Sequence, residues 1–183
     1  LPTRERRAGL GEVVKHALLD GEGALAELER RAPALRDGDL AATQAMIAHS
    51  VALKARVVEA DEREAGDREV LNLGHTVGHA VEACGGFGVW LHGEAVAMGL
   101  VAELEASTRA GWTEGGLAER VRRLTEALGL PHALPPLPRD AMVRAMGLDK
   151  KARGAMVSVP VCRAPGSVER IPCPIERLGE LLS

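Results

Sequence analysis

Aromatic residues are almost missing from this chain of 183 residues, which has one Phe, two Trp and no Tyr. A nucleic-acid surface that interleaves basic residues with stacking rings is thereby excluded, and 23 Lys and Arg against 26 Asp and Glu leave a net charge of −3 with no general pull on a polyanion. Cysteine is scarce too. Cys84, Cys162 and Cys173 are odd in number and form no CxxC pair, so neither a disulfide framework nor a thiolate metal site is expected, and Cys84 is taken as a small core residue. No apolar run approaches the roughly 20 residues that span a bilayer. The first residues, Leu1 to Arg7, are charged and lack the apolar centre of a signal peptide, so a cytoplasmic protein without membrane contact is expected. Neither GxGxxG after a strand nor GxxxxGK[ST] occurs, nor a succession of parallel strands, so this chain alone is not expected to bind a dinucleotide.

What is present suits one globular domain over residues 1–183, with 46% hydrophobic and 27% charged residues. Its dominant period is helical. Leu10, Val13, Val14, Ala17 and Leu18 make one apolar stripe, and a short helix from Ala24 to Arg31 is expected to end at Pro33. Asp39 caps a long helix to about Ala65, with Met46, Ile47, Val51, Lys54 and Val58 on one face and Lys54 as the exception to its apolar character. Gly66 ends it. Further helices are expected at about Glu69 to Ala83, Gly93 to Ala110, Gly116 to Ala127 and Arg139 to Met146, with a glycine-rich loop from Cys84 to Leu91 and a proline-rich connector from Pro131 to Pro138. The period then changes. Met156 to Val161 and Val168 to Ile171 are β-branched runs about a Pro-Gly turn, Ala164 to Ser167, and predict a small hairpin before a final helix, Ile175 to Leu182. The expected fold class is mainly α, a multi-helical domain with a small β hairpin near the C-terminus.

Chemistry concentrates in LNLGHTVGHAVEA, Leu71 to Ala83, and in WLHGEAVAMGL soon after. His75 and His79 are four apart and share a helix face, and the flexible loop lets His92 return to them. Upstream, Glu12 in GLGEVVKHALL has Lys15 one turn along. Two imidazoles and a carboxylate are a common catalytic zinc set that leaves a position open for substrate. An i, i+4 histidine pair also arises by chance, and a buried, hydrogen-bonded histidine is the ordinary alternative. The glycines shift the balance. Gly74 and Gly78 each cost a helix about 1 kcal/mol relative to alanine, so backbone or ligand is expected to approach closely there. Lys54, Glu64, Arg68 and Asn72 lead into this segment, and Lys150 and Lys151 follow Asp149, as if for a phosphorylated or carboxylated ligand; most other basic residues are solvated surface charges.

The string KARVVEADEREAGDREVLNLGHTVGHAVEA followed by HGEAVAMGL, with LPTRERRAGLGEVVKHALL before and DKK after, resembles the C-terminal domain of the 3-dehydroquinate synthases within the sugar phosphate cyclases. The resemblance covers nearly the whole chain. It implies a lyase of the shikimate route to aromatic amino acids, dependent on zinc or cobalt and on NAD, with the NAD bound mainly by an N-terminal domain absent here. The implied substrate is 3-deoxy-D-arabino-heptulosonate 7-phosphate, and the products are 3-dehydroquinate and phosphate. The resemblance makes Glu12, His75 and His92 the metal ligands. It assigns Lys15, Lys54, Arg68, Leu71, Asn72 and one of Lys150 and Lys151 to substrate, and Glu64 and His79, with Lys15, to the chemistry. A planar guanidinium at Arg68 suits a carboxylate and a lysine suits a phosphate. The chain alone is expected not to turn over and to pair with the cofactor domain or a second copy of itself. The alternative is a stand-alone metal- or phosphosugar-binding module, or half of a split cyclase acting on another substrate.

Overall fold

The computed structural model describes residues 1–60, 67–86, 88–149, 156–174, 177 and 180, and of residues 67, 68 and 147–149 the backbone. Among the described residues the helical period is realised as seven α-helices: α1 (Thr3–Asp20), α2 (Glu22–Asp37), α3 (Leu40–Ala60), α4 (His75–Gly85), α5 (His92–Arg109), α6 (Leu117–Ala127) and α7 (Arg139–Asp149). A short 3-10 helix, Asp67–Asn72, precedes α4. Two antiparallel strands follow, β1 (Met156–Ala164) and β2 (Ser167–Pro174), in register with Val159 opposite Ile171 and turning at Ala164–Ser167. The fold class is mainly α with a C-terminal hairpin, as the sequence implies.

The helix α5 is the axis of the domain, and every residue from Gly93 to Leu104 is buried. A helix that is small and apolar on all sides must be enclosed on all sides. One side, Val96, Ala97, Leu100, Val101 and Leu104, joins Leu10, Val14 and Leu18 of α1, Leu25, Leu28 and Leu35 of α2, and Val121 and Leu124 of α6. The other, Ala95, Met98 and Ala102, meets Val77 and Val81 of α4, Met142 and Met146 of α7, and Val157 and Val159 of β1. Each fully buried Leu or Val here contributes about 1.5–3 kcal/mol relative to exposure. The hairpin is tied down by polar contacts: the Gly166 N–H donates to the Leu18 carbonyl at 2.8 Å, and the Thr113 hydroxyl to the Cys162 carbonyl at 2.8 Å. Cys162 and Cys173 are buried free thiols, and half-buried Cys84 packs against the second core. No helix among the described residues is long and apolar enough to cross a membrane.

Three elements depart from expectation. The helix α2 does not stop at Pro33 but runs to Asp37, where Gly38, at φ 90°, closes it by donating to the Ala34 and Leu35 carbonyls. Burial of Ala32 and Leu35 outweighs the one hydrogen bond that proline forfeits. On α3 the buried residues are Ala42, Met46 and Leu53, while Ile47, Val51 and Lys54 are exposed. Apolar residues lie on every side of that helix, so periodicity alone chooses the wrong stripe. Asp39 caps it as expected, accepting the Ala42 N–H at 2.7 Å. The histidine helix begins at His75 rather than Glu69, because Gly74 adopts a left-handed φ of 79°. The expected continuation of α3 to Ala65 and the final helix, Ile175 to Leu182, fall outside the described residues, apart from isolated positions in the latter.

Candidate metal and substrate site

Two close helix crossings bring the chemistry together. Where α1 meets α5, a Cβ on Gly11 would lie 2.0 Å from the Gly93 carbonyl oxygen, and one on Gly93 would lie 1.8 Å from that of Ala8. Where α4 meets α5, a Cβ on Gly99 would lie 2.1 Å from the Gly74 oxygen, and one on Gly78 would lie 3.1 Å from that of Ala95. Only backbone fits at these contacts. Gly11 precedes Glu12, Gly93 follows His92 and Gly74 precedes His75, so the glycines that permit the crossings adjoin the residues that the crossings unite. The close approach expected at Gly74 and Gly78 is present.

Glu12 projects from the middle of α1, while His75 and His92 are the first residues of α4 and α5. Glu12 Oε1 lies 3.2 Å from His75 Nε2 and 3.2 Å from His92 Nε2. In a tetrahedral site with bonds of about 2.1 Å, donors stand about 3.4 Å apart, so these separations suit a metal ion. The outer nitrogens are also engaged. His75 Nδ1 lies 3.2 Å from the Leu73 carbonyl and His92 Nδ1 lies 3.1 Å from Glu82 Oε2. Both imidazoles therefore have acceptors behind them and Nε2 in front, the arrangement that metal-binding histidines use. Behind α4, the buried carboxylate of Glu103 on α5 accepts the Gly74 N–H at 2.8 Å and the Val77 N–H at 3.0 Å, which anchors the turn carrying His75.

The donors open onto a cleft of about 750 Å³ lined by Glu12, Lys15, His16, Lys54, Glu69, Leu71, Asn72, His75 and His92. Lys15 is almost fully buried, with Nζ 2.5 Å from Glu12 Oε2. Burial alone would push the Glu12 carboxyl up, but hydrogen bonds and charge from His75 and Lys15 hold it well below the usual carboxylate range. Burial pushes the Lys15 ammonium down, with Glu12 opposing and Lys54 adding to the shift. The imidazole of His16 is pushed down to about 4, chiefly by burial and then by Lys15. Glu12 is thus anionic and the His16 imidazole neutral near neutral pH. Two lysines and an asparagine on the same walls suit an anionic ligand.

The structure brings Glu12, Lys15, Lys54, Leu71, Asn72, His75 and His92 to one cleft. The His79 ring lies beside the metal donors, its centroid 5.2 Å from that of His75 and 5.9 Å from that of His92. Arg68 is on the 3-10 helix leading into the cleft, and Glu64, Lys150 and Lys151 lie outside the described residues. Sequence reading missed His16 and Glu82. Their spacings carried a signal, since His16 is four residues beyond Glu12 and Glu82 three beyond His79, each on the face of an already singled-out residue.

The fold is shared with about half of each of two larger synthases of known structure. Over the whole chain it matches 2-epi-5-epi-valiolone synthase from Streptomyces hygroscopicus, solved with NAD+ and Zn2+, with a TM-score of 0.83, 23% identity and 51% of that chain covered. It also matches 2-deoxy-scyllo-inosose synthase, solved with carbaglucose-6-phosphate, NAD+ and Co2+, with a TM-score of 0.77, 19% identity and 53% of that chain covered. The chain belongs to the 3-dehydroquinate synthase family, as its C-terminal domain: the family model described as 3-dehydroquinate synthase C-terminal matches residues 9–152. The 3-dehydroquinate synthase of Azotobacter vinelandii is 49% identical over 170 residues, 91% of this chain and 46% of its own length. That of Halorhodospira halophila is 45% identical over 166 residues, 91% of this chain and 47% of its own. The chain spans about half the length of these curated relatives.

Proposed function

We propose that this chain is the metal- and substrate-binding half of a 3-dehydroquinate synthase, which converts 3-deoxy-D-arabino-heptulosonate 7-phosphate to 3-dehydroquinate and phosphate in the cytoplasm. The observation that carries the reading is the convergence of Glu12, His75 and His92 at the edge of a cleft lined by Lys15, Lys54 and Asn72. Identity of 45–49% to dehydroquinate synthases, against 19–23% to the valiolone and inosose synthases, favours the carboxylated substrate. In this reading NAD is held mainly by an N-terminal domain outside the chain, which supplies the opposite wall of the cleft. The chain alone does not turn over, and in this reading it assembles as a homodimer with that domain in place.

Glu12, His75 and His92 would hold Zn2+ or Co2+, since both accept nitrogen and carboxylate donors. The ion supplies Lewis acidity toward a substrate oxygen. Lys15, held against Glu12, presents its ammonium to a substrate oxygen, and Lys54 with Lys150 or Lys151 binds the phosphate as point charges. Arg68 pairs with the carboxylate through two parallel N–H groups. Leu71 and Asn72 bear on the substrate from the cleft wall, while His79, together with Glu64, moves the proton whose loss accompanies phosphate departure. Fixing both charged ends keeps a flexible chain folded for ring closure, which is an entropic contribution.

The test supplies the N-terminal half of the Azotobacter vinelandii enzyme in trans, with NAD+, Zn2+ and the heptulosonate phosphate, and follows phosphate release. Release is expected from the mixture and from neither half alone, with none when a phosphosugar lacking the carboxylate replaces the substrate. No release from a mixture in which both halves are folded, alongside an active intact enzyme, would count for a binding module. Release only from the substrate without a carboxylate would mark a cyclase of the other kind.

A further inference from the structure

His92 stands between two carboxylates. Its Nε2 faces Glu12 Oε1 at 3.2 Å, and its Nδ1 faces Glu82 Oε2 at 3.1 Å. The His92 side chain is 49% exposed, against 12% for His75, so packing does little to fix its ring. A bare imidazole in that setting samples both tautomers and several ring orientations. His75 has a backbone carbonyl behind it, and His92 has Glu82 in the same place.

We infer that Glu82 is the positioning residue of His92. Its carboxylate accepts the Nδ1–H, which places the proton on the outer nitrogen and leaves the Nε2 lone pair for an ion held together with Glu12 and His75. The inference rests on reading Glu12, His75 and His92 as the metal set. Glu82 lies on α4, whose first residue is His75, so one helix contributes a donor itself and steers the donor of the next helix. A carboxylate also raises the basicity of the ring it supports. A second grouping, His79, Glu82 and His92, also brings donor atoms within 4.8 Å of one another. That grouping would make Glu82 a ligand. The Glu12 set is favoured because Glu12 is held by the buried Lys15, with both histidine Nε2 atoms at equal distance from one of its oxygens.

The experiment compares the parent chain with Glu82→Gln and Glu82→Ala, each checked for native circular dichroism. Long-range 1H–15N correlation spectra of the metal-free proteins, at about pH 8.5 where histidine is neutral, read the tautomer. Titration with Co2+ reads visible absorption, affinity and stoichiometry. The parent is expected to hold His92 as the Nδ1–H tautomer and to bind one Co2+. Glu82→Gln, whose amide oxygen still accepts, keeps the tautomer. Glu82→Ala moves it toward Nε2–H and weakens Co2+ by about 10- to 100-fold while the absorption bands keep their positions. An unchanged tautomer and an affinity within about twofold in Glu82→Ala would overturn the inference alone. Absorption bands that shift in Glu82→Ala, at one Co2+ per chain, would make Glu82 a ligand instead. A folded parent that binds no Co2+ would remove the metal reading and this inference with it.

Discussion

Four side chains converge on the Glu12 carboxylate: Lys15 at 2.5 Å, His75 and His92 at 3.2 Å each, and His16 at 4.0 Å. That crowding bears on the charge states of Glu12, Lys15 and His16. Burial and the Lys15 charge push His16 down to about 4, against an unfolded value near 6.5. The unfolded chain therefore takes up a proton that the folded chain refuses between those values, and stability falls as the pH falls through that window. The loss reaches about 3 kcal/mol near pH 4. Glu12 acts in the same direction at lower pH: its carboxyl lies below the usual range in the folded state, so its contribution is lost progressively below about 4.5. Denaturant unfolding of the metal-free chain and of His16→Gln at pH 7 and 4.5 checks this. The parent should lose about 2–3 kcal/mol more than the variant, and equal losses would refute it. The metal candidates themselves were legible in the sequence because the histidines cluster in one glycine-bearing string that resembles a known family, which also singles out Glu12 among 26 acidic residues. His16 was readable only by following the Glu12 face one turn on, and its burial was not, because that depends on what packs against α1.

Among the elements, α5 is the one whose residues leave least freedom. Small residues along HGEAVAMGL let α1 and α4 press backbone to backbone against it, and that contact sets how far apart Glu12, His75 and His92 stand. Gly93→Ala places a methyl group 1.8 Å from the Ala8 carbonyl oxygen, with backbone on both sides and no flexible side chain to yield. The variant is expected to lose about 1–3 kcal/mol of stability and to bind Co2+ more weakly, because α1 must move and take Glu12 with it. A variant with parental unfolding and parental Co2+ affinity would show that the crossing tolerates the methyl. Helix identity was readable from periodicity, and boundaries less so. Pro33 sits inside α2 because buried Ala32 and Leu35 carry the helix past it, and α4 starts late because Gly74 turns left-handed where Glu103 collects the Gly74 and Val77 N–H groups. Glu103 is 29 residues from Gly74 in sequence, so no local signal announces that cap.

For the whole molecule, the proposed metal donors Glu12, His75 and His92 come from three elements, α1, α4 and α5, that only tertiary packing brings together. An unfolded chain offers no such set, so metal binding should stabilise the fold by linkage. At 100 times its dissociation constant, Zn2+ is expected to add about 2.7 kcal/mol, raising Tm by roughly 5–10 °C in a domain of this size, and Glu12→Ala should abolish the increment. An equal rise in Glu12→Ala, followed by differential scanning calorimetry, would place the ion elsewhere.

The order of helices, the hairpin and the family were determined by the sequence itself, because hydrophobic period, glycine placement and the histidine-rich string are local features that survive being written in one line. The convergence of Glu12 with His92 across 80 residues, the exposure of Ile47 and Val51 on α3, and the burial of Lys15 and His16 were decided by the tertiary structure. Each depends on which face of one helix meets which face of another. That choice minimises exposed apolar area over the whole domain, a sum to which no short stretch of chain holds more than a part.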